Sequence, residues 1–268
     1  MKNEIALRPS YWASVSGGKD SLYMLNLILH NLDKYPLDGV VHFELEIDFP
    51  FIHDVIDYME SECKRFGIKF VRIKPQKSWK ELYNSTHKKS GRQWGFPTRT
   101  ARWCNEHYKL NAKKQLNKWM HDLGCYTVSY IGYCVDEKSR YEKRTSLAQT
   151  EIYPLVEFNI EEDTILEWAK NQPIYNDYYK YNRRCGCMYC PMASMETQAY
   201  LLKYYPEHYD ELMKLAKQTE NMREQELGRA FSVWSSNAKY NTDYRDKLIR
   251  EKYLPLLFER ECQLKIEV

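Results

Sequence analysis

One stretch decides the fold of this 268-residue chain: Ser16-Gly17-Gly18-Lys19-Asp20-Ser21. It follows the apolar run at 11–15 and precedes leucines at positions 22, 25, 29 and 32. This order predicts a strand, a tight glycine turn and a helix. Adjacent glycines let the backbone come close to a bulky anion, and the first N–H groups of the helix point at it. The serine hydroxyls and the charge of Lys19 add to this, so the stretch predicts a phosphate-binding loop.

The same residues also fit a plain exposed glycine turn with helix-capping serines. Asp20 agrees with that alternative, because a carboxylate in the first helical turn interacts favourably with the helix dipole. The combination of residues at a strand-to-helix turn favours phosphate binding. The stretch is not a Walker A loop, which requires the pattern G-x-x-x-x-G-K-[ST]. Ser14, which precedes the loop, is a further candidate nucleotide-binding residue.

Composition sets only broad limits on function. The net charge of +3 and the pI of about 8.3 neither require nor exclude a nucleic-acid partner. No apolar leader and no membrane-spanning stretch is recognisable, so we expect a soluble, cytoplasmic protein with no membrane partner. The eight cysteines are therefore expected to be thiols, metal ligands or redox groups, and not structural disulfides.

Strands and amphipathic helices alternate along the first half of the chain. We expect strands at 11–15, 40–45, 68–73, 126–132 and 152–156, and a helix between the second and third of them. This alternation predicts an α/β fold with a parallel sheet and right-handed crossovers. Residues 1–157 would form the nucleotide-binding domain, and 158–268 a helical subdomain that contains a cysteine knuckle.

Ligands of parallel sheets collect at the carboxyl ends of the strands. Asp48 follows the second strand, Gly132 ends the fourth, and the cations Arg140 and Arg144 come soon after it. Further along the surface, Arg99, Arg102 and Lys109 would form an anion-binding group around a loop. Ordinary alternatives are a plain strand-to-helix connection at Asp48, surface ion pairs for the two arginines and a solvated basic face for the last group.

A second signal is the turn Cys185-Gly186-Cys187-Met188-Tyr189-Cys190-Pro191. Three cysteines within six residues have metal-ligand spacing, and glycine and proline shape the turn. A closed zinc or iron–sulfur site needs a fourth ligand, for which Cys104 is the candidate. The alternative is a compact turn of reduced cysteines without a metal.

These blocks occur in one order along most of the chain. That order resembles the phosphoadenosine phosphosulfate reductase family in its broad sense, within the PP-loop ATP pyrophosphatase superfamily. The loop at 16–21 matches the PP-loop pattern S-G-G-x-D-S at every fixed position. Within the family the chain is most similar to bacterial and phage-type members that end in a Cys-Pro knuckle and a helical tail. The other matching blocks are Arg102-Trp103-Cys104 with Lys109, Gly132 with Asp136, Glu137 and Arg140, Tyr153-Pro154-Leu155-Val156-Glu157, and Arg184-Cys185-Gly186-Cys187 with Cys190-Pro191.

The resemblance implies an adenine nucleotide as ligand, ATP above all, with Mg²⁺ on its phosphates. PP-loop enzymes cleave ATP between the α and β phosphates, release pyrophosphate and form an adenylate. The wider family handles adenylyl sulfate and includes an enzyme of DNA phosphorothioation that carries an iron–sulfur cluster. For the cysteine turn it therefore implies a [4Fe-4S] cluster slightly ahead of Zn²⁺.

Our primary hypothesis is an ATP-dependent adenylating enzyme of sulfur chemistry, with Lys19, Asp20 and Arg140 in catalytic roles. The acceptor would be a small sulfur oxyanion or a nucleic acid, and a homodimer or a partner subunit is compatible with the chain.

A thiol-dependent phosphoadenosine phosphosulfate reductase is the alternative. Such reductases usually have a degenerate phosphate loop, and they use the cysteine of a C-terminal Glu-Cys-Gly-Leu-His. Here the tail reads Glu261-Cys262-Gln263-Leu264-Lys265. A neighbouring carboxylate makes Cys262 a poor nucleophile, because it raises the pKa of a thiol. A third hypothesis is a non-catalytic nucleotide-binding module that acts with a partner.

Overall fold

The computed structural model describes residues 7–145 and 150–266, with side chains at 7–142 and 150–263. The chain divides into two compact units, each discontinuous in sequence. Unit 1 holds the chain up to Leu45, Phe49–Pro75 and His107–Asn176, and unit 2 holds Glu46–Asp48, Gln76–Glu106 and the chain from Asp177 onward. The predicted domains, 1–157 and 158–268, are continuous segments, and that division stays a prediction.

Unit 1 is built on a parallel sheet of five strands among its described residues. The strand order is β3-β2-β1-β4-β5, so β1 lies in the centre and the order reverses between β1 and β4. The predicted α/β class and parallel pairing are confirmed. The strands are β1 (Arg8–Val15), β2 (Gly39–Phe43), β3 (Lys69–Ile73), β4 (Cys125–Tyr130) and β5 (Glu151–Ile152).

Twelve α-helices occur among the described residues. They are α1 (Lys19–Leu29), α2 (Pro50–Arg65), α3 (Trp79–Asn84), α4 (Asn111–Asp122), α5 (Lys138–Thr145), α6 (Pro154–Glu157), α7 (Glu162–Lys170), α8 (Tyr178–Tyr181), α9 (Met195–Tyr204), α10 (Pro206–Leu227), α11 (Thr242–Leu248) and α12 (Leu254–Ile266). Short π-helical turns at Asn105–Leu110 and Ile249–Tyr253 precede α4 and α12. No described helix is both long enough and apolar enough to cross a membrane.

Side chains of the sheet alternate between its faces, as the period of two requires. Trp12 and Val41 lie on one face and pack with Leu116 and Met120 of α4. Phe43, Val71 and Ile73, which are partly buried, extend this cluster across β2 and β3. The helix α1 packs with α2, α6 and α7. Burial of these apolar side chains is the main stabilising contribution in unit 1.

The fifth strand is shorter than predicted. We expected a strand at 152–156, but β5 ends at Ile152 and the helix α6 begins at Pro154. Proline has no N–H to donate to a sheet, whereas its fixed φ suits the first position of a helix. The strand therefore ends before the proline.

Unit 2 has a core rich in aromatic rings. The short helix α3 begins with a capping box between Ser78 and Glu81. Its buried Trp79 packs against several rings with centroid distances of 5.3 to 5.9 Å: Tyr83, Phe96, Trp103 and Tyr189. Further along, the buried Glu220 of α10 accepts backbone N–H bonds from Val233 and Thr242. The Glu220 carboxylate thus holds the segment that follows α10 against that helix.

Gly39→Ala should destabilise unit 1. A Cβ at this position would lie 2.6 Å from the indole ring of Trp12, so the core must shift. We expect a loss of about 1 to 3 kcal/mol in the free energy of unfolding, measured by urea denaturation. In a Trp12→Leu background the clashing ring is absent, so the same substitution should cost much less. An equal cost in both backgrounds would contradict the clash.

Candidate functional site

The loop at 16–21 joins β1 to α1 at the point where the strand order reverses. Gly17 has a φ of 73°, a conformation that favours glycine. A Cβ there would also lie only 2.7 Å from the Ile52 side chain. Gly18 is the N-cap of α1, and no side chain caps the helix from that position. The N-terminal amides of α1 are thus suited to an anionic ligand.

The two serines of the loop fix its shape. The backbone N–H of Ser16 donates to Oγ of Ser21 over 3.2 Å, and the two hydroxyl oxygens are 3.5 Å apart. The Ser21 hydroxyl donates in turn to the carbonyl of Gly18 over 2.8 Å. These bonds close the turn across the start of the helix and give the loop a defined conformation.

Gly132 brings the end of β4 against this loop. A Cβ at Gly132 would lie 3.1 Å from the carbonyl oxygen of Asp20 and 3.4 Å from the Ser21 nitrogen. That spacing is tighter than ordinary packing allows. The structure therefore places Gly132 beside the 16–21 loop, and a larger residue there would press on the first turn of α1.

Lys19 is 3% exposed, and its ammonium group lies between two carboxylates. Its Nζ is 2.6 Å from Oδ1 of Asp20 and 2.9 Å from Oε1 of Glu162. Glu162 is the first residue of α7 and is itself buried. A buried charge is costly unless it is paired. This ion pair therefore ties the start of α7 to the start of α1.

The surroundings of Asp20 are acidic. Burial raises the pKa of its carboxyl group above the ordinary value of 3.8, the contact with Lys19 lowers it, and the nearby Glu162 and Glu137 raise it further. An additional cation, or the loss of one carboxylate charge, would relieve this repulsion.

Arg140 lies near the same acidic group. Its guanidinium forms an ion pair with the buried Glu137, and it lies 4.7 Å from the ring centroid of Tyr133. The Cys134 thiol is also buried here. Its pKa is raised mainly by burial, and further by the negative charges of Asp20 and Glu137. Cys134 is therefore a protonated thiol at neutral pH and a poor nucleophile.

The other predicted ligands are spread over both units. In unit 1, Ser14 is half-buried on β1 and Lys109 is exposed. In unit 2, Asp48 is buried and Arg102 is exposed. Arg144 belongs to α5, but its side chain lies outside the described residues. The nucleotide-binding role of these five residues stays a prediction.

All four predicted metal ligands, Cys104, Cys185, Cys187 and Cys190, lie in unit 2. The thiols of Cys187 and Cys190 share a hydrogen bond. The pKa of Cys187 is raised well above 9.0 by this bond, by burial, and by the charges of Cys190, Asp48 and Cys104. Cys185 precedes them in the turn, and its thiol contacts the carbonyl of Gly186.

The donor chemistry of this turn fits a soft metal or an iron–sulfur cluster. In the part of the chain that the structure describes, no three His, Cys, Asp or Glu side chains already stand in metal-binding geometry. Yet the thiols are crowded, and a cation would relieve the mutual repulsion of their thiolates.

Two acidic residues of the site were missed at the level of sequence. Glu162 was not among the candidate site residues, and Glu137 was named only within a block that matches the family. Both are buried, and both raise the pKa of Asp20 in the loop. For Glu162 a signal existed, because it precedes the buried Ile165 and Ala169 by three and seven residues. That spacing puts all three side chains on one helix face.

Comparisons with known proteins cover most of the chain. The model of the phosphoadenosine phosphosulfate reductase domain matches residues 10–193. Two uncharacterized proteins of Methanocaldococcus jannaschii are 27% and 24% identical over 82% of this chain. The chain spans about half of their length, 51% of one and 44% of the other. Among solved structures, the U34-tRNA thiolase NcsA from Methanococcus maripaludis with its [4Fe-4S] cluster aligns with 90% of this chain and 82% of that chain, at 18% identity and a TM-score of 0.40.

Asp20→Asn should stabilise the ligand-free protein at pH 7. Folding raises the pKa of Asp20, so the folded state keeps this proton where the unfolded chain has lost it. Stability from this carboxyl is thus present at low pH and lost as the pH rises through the folded-state pKa. Asparagine does not ionise, so the variant avoids this loss of stability. Lys19 still has Glu162 as its ion-pair partner. The advantage, measured by thermal unfolding, should shrink as the pH falls towards 3.8. The exposed Asp54→Asn on α2 is the control, and an equal effect there would contradict the argument.

A double Cys187→Ser, Cys190→Ser variant should lose bound metal. Serine does not replace a thiolate as a ligand of soft metals. Anaerobic purification, metal and sulfide analysis and an absorption spectrum measure the outcome. The wild type should carry iron with sulfide, or zinc, near one site per chain, and Cys262→Ser, on an exposed cysteine, should retain it. Metal content that is unchanged in the double variant would contradict the prediction.

Proposed function

The chain belongs to the phosphoadenosine phosphosulfate reductase family, and on that premise we propose that it is an ATP-dependent adenylating enzyme of sulfur chemistry. One observation carries the proposal: the complete phosphate loop, with Gly17 and Gly132 holding the start of α1 open to an anion. Family members that bind a finished nucleotide sulfate are expected to have a degenerate loop. An intact loop supports ATP itself as the substrate.

The reaction would be an in-line displacement at the α phosphorus. An oxygen of the acceptor, a sulfur oxyanion or a nucleic acid, forms a bond to that phosphorus. The bond to the oxygen that bridges α and β breaks, and pyrophosphate leaves with the electron pair. Lys19 and Arg140 would stabilise the negative charge that develops. Both cations are paired with carboxylates in the ligand-free protein, so the phosphates of ATP would compete with Glu162 and Glu137 for them.

Asp20 is the residue of the loop that fits Mg²⁺. Magnesium is commonly held by one or two carboxylates together with the phosphates of a substrate, and not by an all-protein cage. The carboxylates near Asp20 would favour the arrival of a cation with the nucleotide. When bound, Mg²⁺ would neutralise phosphate charge.

The cysteine turn would serve either as a structural clamp or as the point where sulfur or electrons are delivered. Cys104, Cys185, Cys187 and Cys190 would hold the metal or cluster. A cluster would supply soft, redox-capable iron and sulfide, whereas zinc would supply only a rigid bridge between the thiolates.

The reductase remains the second candidate, because the matching domain takes its name from that reaction. Cys262, the cysteine it would use, is exposed on α12. The neighbouring Glu261 forms contacts with Lys203 and Tyr204 that hold this part of α12 in place. A non-catalytic nucleotide-binding module is the third candidate, and it predicts nucleotide binding without turnover.

The wild type should release pyrophosphate from ATP in the presence of Mg²⁺, with sulfate or single-stranded RNA supplied as acceptor. Arg140→Gln should lower kcat by about a hundredfold, because it removes a charge that stabilises the transition state. Lys138→Gln removes a cation from the same helix, where the side chain is exposed, and should leave the rate unchanged. Pyrophosphate release by a coupled enzyme assay is the measurement.

Two results would contradict adenylation. A metal-replete protein that binds ATP but releases no pyrophosphate with either acceptor would support the binding module. Sulfite formation from phosphoadenosine phosphosulfate that is lost in Cys262→Ser would support the reductase.

A further inference from the structure

A second charged site lies in unit 2, on a short hairpin at residues 86–93. An antiparallel bridge pairs Thr86 with Gln93. The N–H of His87 donates to the Arg92 carbonyl over 2.8 Å, and the N–H of Gly91 donates to the His87 carbonyl over 2.8 Å. Gly91 has a φ of 65°, which lets the chain turn here. We call residues 86–93 the basic hairpin.

The basic hairpin and Arg223 of the helix α10 line a cavity of about 400 Å³ that is widely open to solvent. Five of the six lining residues are basic, namely His87, Lys88, Lys89, Arg92 and Arg223, and the sixth is Ser90. Glu226 is a nearby carboxylate, 2.7 Å from Arg223 and 3.7 Å from Arg92. Four permanent positive charges therefore face this one negative charge, and the lining of the cavity is strongly electropositive.

Arg223 anchors the hairpin to α10. Its Nη2 donates to the backbone carbonyls of Gln93 and Trp94, over 2.5 and 3.0 Å. These bonds hold the base of the hairpin on the helix, whereas Lys88 and Lys89 are exposed at its tip. The base of the hairpin is thus anchored on α10, and two exposed lysines lie at its tip.

Aromatic rings adjoin the charged cavity. The exposed His87 lies 5.7 Å from Trp94, and Trp94 lies 5.9 Å from Trp103, measured between ring centroids. Positive grooves with neighbouring aromatic rings are typical of sites for single-stranded nucleic acid, where phosphates meet the cations and bases stack on rings. Small-molecule pockets are instead mostly apolar and bury their ligand.

We propose that the basic hairpin binds single-stranded nucleic acid through its phosphates, with Lys88, Lys89 and Arg92 as the phosphate contacts and Arg223 as the residue that holds the hairpin on α10. The low net charge of the chain does not oppose this, because the positive charge is concentrated locally. The inference does not depend on ATP cleavage, since it concerns binding by unit 2 alone.

The test compares two charge-matched variants of the full chain. Lys88→Gln, Lys89→Gln removes two cations from the hairpin tip. Lys114→Gln, Lys118→Gln removes two exposed cations from α4 and is the control. Binding of a fluorescein-labelled RNA of about 20 nucleotides is followed by anisotropy over roughly 50 to 200 mM salt. A DNA of the same sequence distinguishes the two kinds of strand.

The hairpin variant should bind about tenfold more weakly and show a salt slope smaller by about 1.4, since each lost contact to a single strand contributes about 0.7. The control variant should match the wild type. Equal weakening of both variants, or no binding by the wild type, would overturn the proposal.

Two further results would also overturn it. The first is that pyrophosphate displaces the labelled RNA as effectively, per phosphate group, as unlabelled RNA does. The second is retained RNA binding by a hairpin variant that has lost binding to anionic phospholipid vesicles. Pyrophosphate release from ATP by the hairpin variant, measured with sulfate, should equal that of the wild type. Failure of ATP cleavage in the wild type would thus be a separate result.

Discussion

Lys19 carries its charge at a position where almost none of the residue contacts water. The fold must therefore supply carboxylates, because an unpaired buried ammonium group costs several kcal/mol. Asp20 does so locally, and Glu162 does so from α7, 143 residues further along the chain. This pairing joins the first turns of α1 and α7, while Gly18 leaves the amides of α1 without a side-chain cap. One constraint thus shapes both the packing of two helices and the anion-binding end of one of them.

Local rules explain why much of unit 1 could be predicted. The phosphate loop needs a glycine at position 17, where φ is positive, and the apolar spacing after it specifies the face of α1. Alternating strands and helices specified the parallel sheet, and with it the edge on which Gly132 meets the loop. The error in the fifth strand also has a local cause, because Pro154 ended that strand early.

The partners of the site residues could not be predicted, because they are distant in sequence. Nothing near Lys19 specifies Glu162, and nothing near Cys187 specifies that Asp48 acts on it. Asp48 lies in unit 2, with the cysteine turn, and its nucleotide-binding role stays a prediction. Similarly, the basic hairpin contains ordinary lysines, and only Arg223 of α10 completes the cavity that they line. Spacing identifies which residue types carry chemistry, whereas long-range packing decides which of them meet.

The discontinuity of the two units has a consequence for synthesis on the ribosome. Strands β1 to β3 emerge early and can pair at once, but β4 pairs with β1 through partners such as Arg8 and Cys125, 117 positions apart. Between them emerges the aromatic segment Gln76–Glu106, whose unit is completed only by the chain from Asp177 onward. At about 5 to 20 residues per second, Trp79 of this segment stays without its later neighbour Tyr189 for several seconds or more. During that interval the nascent chain therefore exposes an apolar aromatic segment that chaperones can bind.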